Sequence, residues 1–176
     1  DFDKAKTSGP HRRLMRRGVS IFPAESQLRG HKKYVHVIER NLWADGSLVL
    51  ADDDIIYPRT WLRDLRDANA AMGESSAPTV ISHMVKDYRF ADDKRFAPYI
   101  VWPLVKESNA ARHHFFLGGS GTLLPVEVCA ELQARGRSFI GVSDLADDVW
   151  LNWVALQAGA LVAQVHDSPL ELQLVP

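Results

Sequence analysis

Apolar and polar positions along the chain switch between a helical and a strand period, and the switches divide it into alternating elements. His11 to Arg17 is a basic run closed by Gly18, which predicts a short helix, and Val19 to Phe22 predicts a short strand. From Ser26, a residue suited to an N-cap, Leu28, Tyr34, Val35 and Ile38 predict a second helix, ended between Asn41 and Gly46 with Asp45-Gly46 as the turn. Ser47 to Ala51 reads as a buried strand that runs into Asp52, Asp53 and Asp54. Pro58 then opens a helix carrying Trp61, Leu62 and Leu65.

The second half continues the alternation less regularly. Thr79 to His83, with Met84-Val85, predicts another strand, followed by a polar stretch from Lys86 to Pro98 and an exposed loop around Trp102-Pro103. Phe115 to Leu117 leads into Gly118-Gly-Ser-Gly121 and Thr122-Leu-Leu-Pro125. Helices are expected from Val126 to Ala134, ending near Gly136, and from Leu145 to Ala158, stopped by Gly159. Leu161 to Val165 is the expected final strand. Strands alternating with helices imply parallel pairing, so the expected fold class is α/β.

Composition narrows the partners more than the fold. A chain of 176 residues suits one domain, 1-176, with a proper core. Its 21 basic and 22 acidic residues give no overall field toward nucleic acid or an anionic membrane. The lone Cys129 excludes an internal disulfide and a cysteine metal cluster, fits a reducing, cytoplasmic setting, and is expected as a small core residue. No run approaches the roughly 20 apolar residues that span a bilayer, so membrane association is expected only through regions outside this chain.

Three clusters carry candidate chemistry. Asp52 and Asp54, spaced Asp-x-Asp at the end of a strand, offer hard oxygen ligands to Mg2+ or Mn2+ and leave positions for substrate phosphates, although a solvated acidic turn has the same pattern. The glycines of Gly118-Gly119-Ser120-Gly121 let backbone approach a ligand and free N–H groups for oxygen atoms, where a tight turn is the plainer reading. Asp147 and Asp148 open a helix, where one acid satisfies the dipole and the other is left for chemistry. Trp102, a large apolar face in a loop, is the candidate for stacking on a sugar.

In that order, Ala-Asp-Asp-Asp-Ile-Ile-Tyr-Pro (51-58), Gly-Gly-Ser-Gly-Thr-Leu-Leu-Pro (118-125) and Ala-Asp-Asp-Val-Trp-Leu (146-151) resemble a bacterial GT-A glycosyltransferase of the family-2 type. The resemblance runs from about Gly18 to Val165. It implies a GT-A-like, mostly parallel sheet flanked by helices, a nucleotide-sugar donor, a saccharide or other hydroxyl acceptor, and no nucleic acid. It further implies that Asp52 and Asp54 hold the metal or the donor ribose, with Asp53 as an alternate. Asp147 or Asp148 would be the acceptor base of an inverting transfer, Gly118, Gly119 and Ser120 would shape the sugar pocket, and His166 would be a third metal ligand. Lys33, beside Lys32, would place a cation near the diphosphate.

Other roles remain open for several residues. His83 and His113-His114 are candidates for cleft or core, Trp150 and Trp153 for helix packing, and Arg59 and Arg63 for surface ion pairs beside the acids. Such enzymes begin with a strand, helix and strand that nothing before Val19 supplies. That departure implies an open sheet edge suited to self-association. It also keeps a non-catalytic sugar or nucleotide-sugar binding module in view, beside a metal-dependent phosphate-ester hydrolase.

Overall fold

The computed structural model describes residues 8-43, 46-73 and 77-175. Helix α1 spans Gly9–Arg16 and is followed by an irregular segment. Val19 to Phe22 forms no strand: Val19 N–H bonds back to Leu14 O at 3.1 Å, and among the described residues no strand pairs with this segment. The helix expected from Ser26 is instead a 3-10 stretch, Ser26–Lys33, broken at Arg29 (φ 47°, ψ −127°), and then α2, Val35–Glu39. Its apolar positions were legible all the same, because Leu28, Tyr34, Val35 and Ile38 are all buried. The Asp45 half of the expected turn lies outside the described residues.

Strand β1 (Leu48–Leu50) runs into the acidic triplet, β2 is Ile55–Ile56, and α3 spans Trp61–Ala71. The expected strand at 79-85 is two strands, β3 (Thr79–Ser82) and β4 (Val85–Asp87). The polar stretch after it holds a hairpin, β5 (Phe90–Asp92) and β6 (Arg95–Phe96). Then come β7 (His114–Phe116), β8 (Thr122–Leu124), α4 (Val126–Arg135), α5 (Asp147–Gln157), β9 (Leu161–Gln164) and β10 (Gln173–Leu174). Gly136, at φ +53°, ends α4 in the left-handed region that glycine enters without strain.

The principal sheet has the order β1-β8-β3-β9. Only β3 and β9 pair in parallel; β8 is antiparallel to both β1 and β3. The three two-stranded sheets, β2/β10, β4/β7 and β5/β6, are antiparallel as well. The expected mostly parallel GT-A-like sheet is therefore corrected to a mixed α/β fold with small, mostly antiparallel sheets. The physical cause is β8, a three-residue strand after a glycine turn, which inserts between β1 and β3 and runs against both.

Both faces of this sheet are buried. Leu50, Val80, Leu124 and Val162 point to one side, against Val128, Cys129 and Leu132 of α4 and Trp150, Leu151 and Val154 of α5. Ile81, Leu123 and Ala163 point to the other, against Leu65 of α3. The alternation follows from the two-residue side-chain period of a strand. Among the described residues, no helix is long and apolar enough to cross a membrane.

Candidate functional site

The sheet register builds the site. Leu50 pairs with Thr122 across β1 and β8, and extending that antiparallel register two residues places Asp52 opposite Ser120. The acidic strand end and the glycine turn are thus neighbours. Tyr57 fastens them together: its hydroxyl accepts from Asp52 N–H at 2.8 Å and donates to Gly119 O at 2.5 Å. Burial raises the Tyr57 pKa against the opposing pull of the Asp52 N–H bond, so the hydroxyl keeps its proton.

Helix α5 brings the second acid pair to the same place. Asn152, buried on its apolar face, accepts from Phe116 N–H at 3.0 Å and donates to Phe116 O at 2.8 Å. An unmet partner of that kind costs about 1–3 kcal/mol, so the amide pins the second turn of α5 to β7. Gly118 N–H then donates to Asp148 Oδ1 at 2.9 Å. Neither Asp147 nor Asp148 caps α5, because the cap position is Ala146 and no side-chain cap bond forms. Their carboxylates are spent on the site instead.

Lys33 completes the cluster from the 3-10 stretch. Its Nζ lies 2.6 Å from Asp52 Oδ1 and 3.0 Å from Asp147 Oδ2. Burial alone pulls the ammonium pKa down, yet the bonds and charges of Asp52 and Asp147 outweigh it and hold the value above the ordinary range. Lys33 therefore stays charged. His31 holds this stretch in place, stacked at 3.9 Å on Phe139 and bonded through Nε2 to Ser143 O at 2.8 Å and through Nδ1 to Tyr34 Oη at 2.6 Å.

Three glycines make room for the three carboxylates. A Cβ on Gly30 would run into Asp147, one on Gly118 into Asp148 at 2.9 Å, and one on Gly119 into Asp52. Gly119→Ala is accordingly expected to displace the Asp52 carboxylate from Lys33. Any activity of the site should fall at least tenfold, and the thermal midpoint should fall by a few degrees as the Lys33–Asp52 pair is broken. A crystal structure with Asp52 unmoved would refute this account.

Asp148 is the perturbed acid. Burial and then the charge of Asp147 raise its pKa to about 6, against the opposing pull of Gly118 N–H and Lys33. Perturbed groups of this kind concentrate at functional sites. Tyr99 stands within electrostatic reach of Asp148, and its pKa is raised by burial and then by the Asp148 charge. Lys33 and its two carboxylates border an open cleft of about 500 Å3 lined also by Arg29, Gly30, Lys32, Asp53 and Asp54. Three cations face four carboxylates there, a surplus of one negative charge.

This wall bears on a metal. Among the described residues, no group of three or more His, Cys, Asp or Glu is placed to hold an ion by itself. The expected third ligand, His166, instead lies 3.9 Å from Asp64, with its ring 6.4 Å from that of His83. Asp52 and Asp54 remain in one cleft, and Mg2+ commonly takes one or two carboxylates with substrate phosphates and water. These two would supply at most two carboxylates to a cation whose other ligands come from substrate and water, and Asp52 Oδ1 already meets the Lys33 ammonium at 2.6 Å.

Other expected site residues sit elsewhere. Ser120 is buried, its hydroxyl committed to Leu117 O at 2.7 Å and Met84 N–H at 3.2 Å. Trp102 packs at the centre of an aromatic cluster with Tyr88, Phe96, Tyr99 and Phe115, its indole N–H on Ala97 O at 3.0 Å. The rings left open nearby are Tyr99, Phe90 and Phe96. His83 is buried and bonded to Trp61 O, and His114 to Val162 O, so both belong to the interior. Trp150 is buried against Trp153, and Arg63 approaches Asp64 rather than the acidic triplet.

Sequence reading passed over Gly30, Tyr57 and Asn152. Asn152 alone carried a signal, as a polar residue in the apolar run Val149 to Leu156. No protein-family model matches the chain, and no curated protein matches it. The chemistry of the site therefore rests on its own residues.

Proposed function

We propose that the chain transfers a glycosyl group from a nucleotide-diphosphate sugar to a hydroxyl acceptor. The observation that carries this reading is Asp148: a carboxyl with a pKa raised to about 6, oriented by Gly118 N–H and next in sequence to Asp147, which lines the cleft where cations and carboxylates face each other. A binding module has no need of such a base.

The donor diphosphate occupies the cleft, met by Lys33 and by Arg29 and Lys32 on the same wall. A divalent cation held by Asp52 and Asp54 would neutralise the charge that develops on the leaving phosphate. The acceptor enters beside Tyr99, whose half-exposed ring carries the Lys86 ammonium 3.8 Å over one face. Asp148, ionised, takes the acceptor hydroxyl proton as the new oxygen–carbon bond forms and the sugar–phosphate bond breaks, releasing the nucleoside diphosphate. One displacement inverts the anomeric centre. Tyr57 and Asn152 hold the two acid-bearing elements at fixed separation, a positioning role.

Transfer from a panel of uridine, guanosine and thymidine diphosphate sugars, assayed with Mn2+, tests the reading. The rate should rise with pH through about 6 as Asp148 loses its proton, and level off above it. Donor binding with no turnover at any pH would replace the transferase with the binding module, and release of inorganic phosphate from simple esters would favour the hydrolase.

A further inference from the structure

We propose that α1 docks the protein on the surface of an anionic lipid bilayer. The helix buries none of its eight residues. At about 100° per residue, Arg12, Arg13 and Arg16 fall within one arc, and His11, Leu14 and Met15 fall within the opposite one. Arg17 extends the basic side. From Gly9 to Arg17 there is no acidic residue, so the stretch itself supplies four arginines and no counter-charge.

That grouping is out of proportion to the rest of the chain. Without these four arginines the formal net charge of −1 becomes −5, so an anionic surface attracts α1 and repels the remainder. The field alone turns the molecule with α1 toward the surface. Apolar side chains accompany the charge: Leu14, Met15, Val19 and Phe22 are 43%, 38%, 44% and 45% exposed.

The pairing of the two features selects the partner. Nucleic acid would engage the arginines and leave the apolar residues in water. A bilayer interface accepts both, taking Leu14 and Met15 into the acyl boundary while the guanidinium groups reach lipid phosphates. A helix this short binds weakly, and its binding is sensitive to salt.

Sedimentation with unilamellar vesicles decides the matter. The whole chain should partition onto phosphatidylcholine vesicles containing one third phosphatidylglycerol, far less onto phosphatidylcholine alone, and less as salt is raised. Reversing two charges in Arg12→Glu/Arg16→Glu should lower partition at least roughly thirty-fold. Leu14→Ser/Met15→Ser should lower it several-fold. Because α1 buries no side chain, near-ultraviolet circular dichroism of both variants should match the parent. Absence of partition onto the anionic vesicles would overturn the proposal. So would binding to a duplex oligonucleotide that is tighter than to vesicles and indifferent to the serine substitutions.

Discussion

Asp148→Asn should make the protein more stable at pH 8 and leave it without transfer activity. The folded protein raises this carboxyl from an ordinary value of 3.8 to about 6, so folding favours its protonated form. The stability tied to that proton is fully present below about pH 4 and is lost as pH rises through 6. At pH 8 the wild type therefore carries the whole penalty, about 3 kcal/mol for a shift of this size. Asparagine is neutral at every pH, and its side-chain oxygen can still accept from Gly118 N–H. Thermal midpoints should differ by roughly 5–10 °C at pH 8 and converge near pH 4. Loss of the base should slow transfer by about 10²–10⁴ with donor binding retained. Equal midpoints across that range would show that the acid is not held against its preference, and undiminished turnover would remove it as the base.

Lys33→Ala should act in the opposite direction. The ammonium group stands between Asp52 and Asp147 and is itself mostly buried. Its folded pKa lies above the ordinary 10.5, so the stability it contributes is complete below that value and is lost only in strong alkali. Removing it leaves two partly buried carboxylates facing each other without a cation. Breaking a buried pair in this way costs several kcal/mol, and the residual exposure of these groups reduces the figure to about 2–3 kcal/mol. Urea unfolding at pH 8 should show that deficit. It should shrink at acid pH, where carboxylates take up protons. The combined Lys33→Met/Asp52→Asn/Asp147→Asn variant should recover most of the loss while remaining inactive. An unchanged urea midpoint in Lys33→Ala would mean that the ion cluster does not help to hold the fold.

How much of this was legible in the sequence follows from how local each signal is. Helices α4 and α5 were expected within a few residues of their ends, and α3 at its start, because their apolar period and the stops at Gly136 and Gly159 are local. Cys129 is buried, as its surroundings implied. Strand β8 was not expected, since three residues after a glycine turn give no period, and with it went the direction of the central pairings. The kink at Arg29 was equally hidden: a non-glycine residue at φ 47° is imposed by contacts far along the chain, among them His31 on Ser143 and Phe139. In the site, Asp52, Asp147 and Asp148 could be chosen from pattern, whereas the cation between the first two could not be assigned by position alone. His166 was misplaced because its expected role rested on order along the chain, and β9 delivers it to Asp64 instead.

The two core faces give the glycine turn a constraint of a different kind. Leu123 and Leu124 are consecutive, yet they fill the interior on opposite sides of the sheet. Deleting or inserting one residue between Gly118 and Gly121 would slide β8 by one position and turn both leucines to the wrong side. The turn is therefore held to a fixed count. With Gly118 and Gly119 also fixed by the carboxylates that crowd them, a lineage of such chains would hold this loop constant in length and residue and vary its chemistry elsewhere on the cleft wall.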